Sequence, residues 1–147
     1  MPDAIVITRA TPGDLVAILA IDDRPDRAIE VSDAVVSDRC LVAKVDDDIV
    51  GFCVGGTFFG HDFVELLVVA EHRRRQGVGA ALVEAFASRA GSAKVFTSTN
   101  ASNAPMRALC QRLGFVEAGR IDHLDEGDPE VVYVHLASGG ATPEALS

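Results

Sequence analysis

The 147-residue chain has no tryptophan, one tyrosine and three cysteines. Cys40, Cys53 and Cys110 are odd in number, widely spaced and set among apolar neighbours. That pattern argues against a disulfide framework or a zinc site and for reduced thiols in a cytoplasm. Long apolar runs are also missing, and nothing approaches the roughly 18 residues of a membrane span. The opening MPDAIVITRATPGDL has early acids and no cationic segment, so no secretion signal is read there. Cations are scarce: Lys and Arg number 13 against 22 Asp and Glu, a net charge of -9. Such a balance disfavours a broad nucleic-acid surface and leans toward cationic or neutral partners. Internal repeats and low-complexity tracts are absent.

What remains is a core-forming composition, 48% hydrophobic. It predicts a single domain over 1–136 and a loose tail, ASGGATPEALS, over 137–147. IVIT reads as a first strand. Thr11 and Asp14 form a capping-box-like start with Pro12 at the first helical position, and Leu15, Ile18, Leu19 and Asp22 keep helical spacing. DDRPDRAIE is a polar joint before a short helical piece around 31–37. CLVAKV and IVGFCVGGTFF flank the turn DDD and predict a hairpin. DFVELLVV (62–69) is nearly continuous in apolar residues, which predicts a strand covered on both faces. A helix follows Gln76, with Val78, Leu82, Ala85 and Phe86 on one side. KVFTST is a strand, and NAPMRALCQRLG a helix ended by Gly114. FVEAGRID and EVVYVHL close the chain as a hairpin around HLDEGDPE. The order predicts an α/β (α+β) fold: a mixed, mostly antiparallel sheet of about 6–7 strands with about four helices on its faces.

The stretch VVAEHRRRQGVGAALVEAF (68–86) is the chemically pointed one. A strand ends, three arginines follow, and two glycines open a helix whose first N–H groups lack intrahelical partners. Those donors and the positive end of the helix dipole suit an anion. Gly77 and Gly79 allow close approach to the backbone, and Arg74 and Arg75 add forked charge fitted to phosphate oxygens. The corner is not a P-loop, because no Gly-Lys-Ser/Thr follows. It is also a poor dinucleotide fingerprint, lacking a third glycine. A phosphorylated small molecule is the expected ligand.

Two motifs, in order and on matching elements, resemble the GNAT superfamily of N-acetyltransferases. RRQGVG (74–79) is similar to its Arg/Gln-x-x-Gly-x-Gly/Ala motif, which holds the diphosphate of acetyl-CoA. NAPMRALCQRLGF (103–115) is similar to its Asn-led helix ending in Leu-Gly-Phe. The likeness in element order covers about 5–136. It implies a GNAT-like acyl-CoA N-acyltransferase fold with acetyl-CoA as co-substrate. It also implies transfer of the acetyl group to a primary amine by direct attack through a tetrahedral intermediate. Backbone N–H groups from Arg75 through Gln76, Gly77, Val78 and Gly79 to Ala80 would take the diphosphate. Along the strand Leu67–Val68–Val69, the backbones of Leu67 and Val69 would pair with the pantetheine arm, which Asn103 would also hold.

Transfer to an amine requires a base, since an alkylammonium near pKa ~10 has no lone pair at neutral pH. Glu65 is the candidate, the one charged residue in FVELLVV. Alternation would put it on the face of Leu67 and Val69, partial burial would raise its pKa, and the family often carries an acid on this strand. Cys110 marks a departure, standing where related chains carry a tyrosine that protonates the leaving thiolate. A thiol can donate that proton, and Cys110 is also at core spacing with Met106, Leu109 and Leu113. Tyr133 falls on a late strand whose alternation suits packing. His72 is expected in a solvated loop, His61 and Asp62 at the border of the acceptor site, and His123 and His135 at the surface. No metal is expected.

Acids at Asp22, Asp23 and Asp26, and at Asp125, Glu126 and Asp128, would either concentrate a cationic amine or serve as turn residues. The rivals are a non-catalytic acyl-CoA-binding sensor and an acetyltransferase toxin acting on charged tRNA, the latter disfavoured by the net charge. A homodimer is the expected assembly.

Overall fold

A computed structural model describes residues 4–136; the tail expected at 137–147 lies outside the described residues. The elements are β1 (Val6–Arg9), α1 (Leu15–Ile21), α2 (Ala28–Val36), β2 (Cys40–Val45), β3 (Asp48–Phe58) and β4 (His61–Val69). They continue with α3 (Val78–Arg89), β5 (Lys94–Asn100), α4 (Ala104–Arg112), β6 (Val116–Ile121) and β7 (Glu130–Leu136). Seven strands form one sheet in the order β1-β2-β3-β4-β5-β7-β6. The β4–β5 ladder is parallel, while β1–β2, β2–β3, β5–β7 and β6–β7 are antiparallel. The mixed, mostly antiparallel sheet with four helices is as expected. The chain divides into two compact units, Met1–Gly56 with Glu65–Arg89, and Thr57–Val64 with Ala90–Ser147.

In the first unit, Thr11 N–H donates to the Asp14 carboxylate at 2.9 Å. That capping box opens a 3-10 turn, Pro12–Asp14, and α1 begins only at Leu15. The second helix starts at Ala28, ahead of the predicted stretch, behind another Pro-initiated turn at Pro25–Arg27. Between β2 and β3 the chain reverses through Asp46 and Asp47 with φ of 51° and 69°. Both are left-handed, as a type I′ hairpin turn requires, and Asp tolerates that region better than most residues. Phe59 and Gly60, with φ of 51° and 80°, link β3 to β4 in the same two-residue manner.

Strand alternation distributes the core. Cys40 and Val42 face across to Val54 and Phe52, and these four join Ile18, Val31, Ala34 and Val35 from α1 and α2 in one buried cluster. The opposite face of β3 is cut back to glycine. A Cβ on Gly51 would lie 2.8 Å from Val78 Cγ1, and one on Gly55 would lie 3.0 Å from Phe86 Cζ and closer still to Cε1. Helix α3 therefore seats directly on the strand backbone, burying Val78 and Leu82.

In the second unit, β7 lies between β5 and β6, with Thr97 opposite Tyr133. Thr97 is buried and its hydroxyl donates to the Val64 carbonyl at 3.1 Å. The outer strand β6 is exposed throughout and is broken by a bulge between Glu117 and Gly119, which protects a sheet edge. Helix α4 ends as predicted at Gly114, φ 85°. Gly114 N–H bonds to Gln111 O and Phe115 N–H to Cys110 O, the paired bonds of a Schellman motif. Four of the seven phenylalanines, Phe58, Phe59, Phe63 and Phe96, gather around Phe58 with ring centroids 4.8–5.4 Å apart.

Candidate active site

The arginine–glycine corner is built by a rapid succession of backbone turns. Strand β4 ends at Val69, a 3-10 turn spans Glu71–Arg73, and Arg75 and Gly77 both adopt left-handed φ, 66° and 87°. Arg75 takes a conformation unfavourable for a side-chain-bearing residue, whereas Gly77 takes it without penalty. Ala81 N–H donates to Gly77 O at 3.0 Å. This is the first bond of the helix, so the N–H groups of Val78, Gly79 and Ala80 precede the helical ladder and point out of its N-terminus. A Cβ at Gly77 would meet no protein atom within 4 Å, so the approach to this turn is open.

The side chains brace the corner. Arg74 Nε donates to the Val69 carbonyl at 3.3 Å, and Gln76 Nε2 donates to the His72 carbonyl at 3.4 Å. Arg73 Nη1 donates to Gln76 Oε1 at 3.3 Å. Gln76 thus ties the loop to itself, which gives its side chain a structural use besides any backbone role.

Glu65 lies on β4, and its ladder with β5 covers only Asp62–Val64. Its carboxylate rests over Gly56 of β3, in the space a Cβ there would need. Arg39 approaches the other side, with Nη1 3.9 Å from Glu65 Oε1 and 2.8 Å from the Gly55 carbonyl, to which it donates. The Glu65 side chain is 33% exposed. Burial pushes its pKa above the usual carboxylate range, Arg39 pulls it back, and Glu30 adds to the rise.

The alternation that would place Glu65 on the face of Leu67 and Val69 does not hold. Gly56 shares its face of β3 with Phe52 and Val54, and Glu65 meets Gly56 there. Yet Leu66 and Val68 also pack with the Phe52–Val54 cluster. Residues 65, 66 and 68 reach one face only if the period-two pattern breaks, as it does at a β-bulge. Coverage on both faces is likewise partial, since Val64 and Val68 are buried while Leu67 and Val69 are half-buried.

Comparison with known proteins places this arrangement. The acetyltransferase (GNAT) domain profile matches residues 36–117. A GNAT-family acetyltransferase from Bacillus cereus is 32% identical, covers 91% of this chain and 98% of its own, and superposes with a TM-score of 0.87. The chain belongs to the GNAT family of acetyltransferases. More distant solved structures share the fold. The ribosomal-protein-S18-alanine N-acetyltransferase of Escherichia coli is 21% identical over 90% of this chain and 94% of its own, TM-score 0.74. The yncA protein of Salmonella typhimurium, solved with its cofactor acetyl-CoA, is 20% identical over 97% and 99%, TM-score 0.71. A comparison with curated protein sequences gives no significant match.

The GNAT site residues expected from sequence divide between the units. Glu65, Leu67, Val68, Val69 and the 74–80 corner belong to the first; Asn103 and Cys110 belong to the second. Asn103 Oδ1 accepts from Met106 N–H at 3.2 Å and so caps α4. Cys110 is 2% exposed, and burial pushes its thiol up to about 11. Cys40 and Cys53 are pushed up to about 12 by the same cause. All three cysteines are free, buried and held as neutral thiols. Tyr133 is 1% exposed, and its hydroxyl accepts from Arg107 Nε at 3.0 Å.

One secondary expectation is corrected, and several acids are found in structural use. His135 is half-buried rather than at the surface, its ring centroid 5.2 Å from that of Phe115. Asp62 accepts from the N–H groups of Gly91 and Ser92, at 3.0 and 3.2 Å, and so fastens the loop before β5. Most of the acids weighed as an acceptor rim are engaged. Asp22 pairs with Arg27 at 2.6 Å and Asp26 with Arg24 at 2.9 Å. Asp128 accepts from Ser102, and Asp125 from Asn100. The turn-forming reading prevails for these four. Among the described residues, no group of three or more His, Cys, Asp or Glu is arranged to hold a metal ion, and no helix is long and apolar enough to cross a membrane.

Sequence reasoning missed Arg39 and Gly56. The Gly-Gly pair inside VGGTFF was a usable signal, because glycine in a strand interior marks a close approach. Arg39, in a loop, carried none.

Proposed function

We propose that the chain is an acetyl-CoA-dependent N-acetyltransferase acting on a primary amine, with Glu65 as the general base. One observation carries the assignment: the carboxylate within the apolar run of β4 sits in a partly desolvated seat, with its proton affinity raised, in the same unit as the anion-accepting corner. The open left-handed turn at Gly77 and the bared N–H groups of Val78, Gly79 and Ala80 fit a diphosphate. Arg74, Arg75, Gln76 and Gly77 would line that grip. Leu67, Val68 and Val69 supply the strand backbone for the pantetheine arm, the stretch of β4 beyond its three-residue ladder with β5. Asn103 keeps its amide Nδ2 for the same ligand, since its capping bond uses Oδ1.

Acetyl-CoA supplies the acyl group as a thioester. Glu65 takes one proton from the acceptor's ammonium, and the freed nitrogen attacks the acyl carbon. The C–N bond forms, the nitrogen sheds its second proton as the tetrahedral adduct collapses, the C–S bond breaks, and the departing thiolate takes up a proton. Cys110 is the candidate donor for that last step. Pushed up to about 11, its thiol is protonated at neutral pH, as a donor must be. It is a weaker acid than the coenzyme's thiol at ~8.5, so the transfer runs uphill and the nitrogen's second proton must restore it.

The acceptor is read as a small-molecule or peptide amine, the compartment as cytoplasmic, and the assembly as a homodimer. The decisive experiment supplies acetyl-CoA with a panel of amines and follows thiol release by wild type and Glu65→Gln. Turnover that collapses on substitution, with coenzyme affinity retained, supports the proposal. Tight coenzyme binding without turnover on any amine favours the sensor instead, which the buried cysteine in place of the family's tyrosine would suit. A tRNA mobility shift would support the toxin reading.

A further inference from the structure

We propose that Gly56 and Arg39 are positioning residues for Glu65: together they form a seat that holds its carboxylate in one place across β3. The inference rests on the assignment of Glu65 as base and extends it to two residues that this assignment does not itself require.

The seat has a floor and a wall. Gly55 and Gly56 are consecutive on β3, so their missing side chains would point to opposite faces. The vacancy at Gly55 is filled by the Phe86 ring of α3. The vacancy at Gly56 is filled by Glu65, and a Cβ there would lie 2.5 Å from its Cδ and nearer still to Oε2. No side chain larger than hydrogen fits at 56 without moving the carboxylate. The Gly-Gly pair therefore serves packing on one face and the base on the other.

The wall is Arg39, whose guanidinium is fixed by donating from Nη1 to the Gly55 carbonyl at 2.8 Å. The backbone is fixed as well: Arg39 N–H donates to Ala34 O, and Gly55 N–H donates to Arg39 O, both at 2.8 Å. The same Nη1 stands 3.9 Å from Glu65 Oε1, an ion-pair separation longer than a hydrogen bond. At that distance the positive charge orients the carboxylate and favours its ionised form without consuming the lone pair that must accept the substrate's proton. The charged groups acting on Glu65 are Arg39 from the loop before β2 and Glu30 from α2, opposite in sign. Geometry thus fixes where the base is, and burial in the seat, offset by Arg39 and reinforced by Glu30, sets how readily it takes a proton.

The test uses Glu65→Gln, Gly56→Ala, Arg39→Met, Arg39→Lys and the double variant Gly56→Ala/Glu65→Gln. Steady-state kinetics across pH are read alongside a direct NMR titration of the Glu65 carboxyl, which needs no acceptor. Gly56→Ala should lower kcat on the order of 10-fold or more, part of what a general base supplies, with KM for acetyl-CoA unchanged. Added to Glu65→Gln, the same substitution should cost nothing further, because Gly56 acts only through Glu65. In the Gly56→Ala single variant the NMR midpoint should fall as the carboxylate is expelled into water. Arg39→Met should move the midpoint and the acid limb of kcat/KM the other way, to higher pH, and Arg39→Lys should largely restore both.

Equal losses from Gly56→Ala with and without Glu65→Gln would overturn the floor, and an unmoved midpoint in Arg39→Met would overturn the wall. If Gly56→Ala does not fold, the Arg39 variants decide the matter alone. Full activity of Glu65→Gln would instead refute the base assignment, while the NMR midpoints would still show whether the seat exists.

Discussion

Asp22 and Arg27 meet at 2.6 Å across the joint between α1 and α2, with the Asp22 side chain only 2% exposed and that of Arg27 22% exposed. The same Asp22 oxygen accepts from Arg24 N–H at 3.1 Å. An acid that composition alone could place at an amine-attracting rim is thus a buried cross-brace. Removing the carboxylate leaves a largely desolvated guanidinium without its counter-charge. Asp22→Ala is expected to lower unfolding free energy by roughly 2–3 kcal/mol, below the full value for a wholly buried pair because Arg27 retains some solvent. Urea denaturation measures this, and coenzyme affinity should be unaffected.

Glu65 carries a stability cost at neutral pH. Its folded pKa is raised, so the fold favours the protonated form. The stabilisation from that preference is complete below the unfolded value, near 4.5, and is lost as pH rises through the folded value. Glu65→Gln, which mimics the protonated state, should therefore melt higher than wild type at pH 7.5. The two proteins should converge at pH 4, where both side chains are neutral. Turnover by wild type should show its acid limb above the usual carboxylate range, because only ionised Glu65 accepts a proton. A melting curve for Glu65→Gln that is lower at both pH values would contradict this account.

Gly77 separates strain from ligand contact. Its φ of 87° penalises any side chain, so Gly77→Ala should cost about 1 kcal/mol of stability. The added methyl meets no protein atom within 4 Å. Beyond the measured loss of stability, any weakening of coenzyme A binding in calorimetry reports on what occupies that open space. Affinity equal to wild type would detach the diphosphate from this turn.

Cys110 has two roles to distinguish. Cys110→Ala is expected to lower the melting temperature, because a buried side chain leaves a small void. If the thiol protonates the leaving group, kcat also falls while acetyl-CoA affinity holds. A stable variant with an unchanged rate would return Cys110 to packing alone.

The elements and the corner were legible because their signals are local. Alternation and turn residues delimit β2 and β3, where Asp46 and Asp47 supply the left-handed turn. Gly114 ends α4 where a residue in that same region is needed, and two glycines after three arginines open α3. Glu65 stood out as a charge inside an apolar strand. Its facing residues were misassigned because alternation breaks beyond it, and no local rule reports a bulge. His135 was misplaced for a related reason: burial depends on what another segment brings.

By itself, the sequence determined which stretches are strands and helices and where an anion could meet a helix start, since these follow from periodicity and backbone stereochemistry within a few residues. Only the tertiary structure decided that β7 enters between β5 and β6, and that Arg39 and Gly56 enclose Glu65. Those outcomes depend on register between segments far apart in the chain, where a shift of one residue turns every side chain to the opposite face.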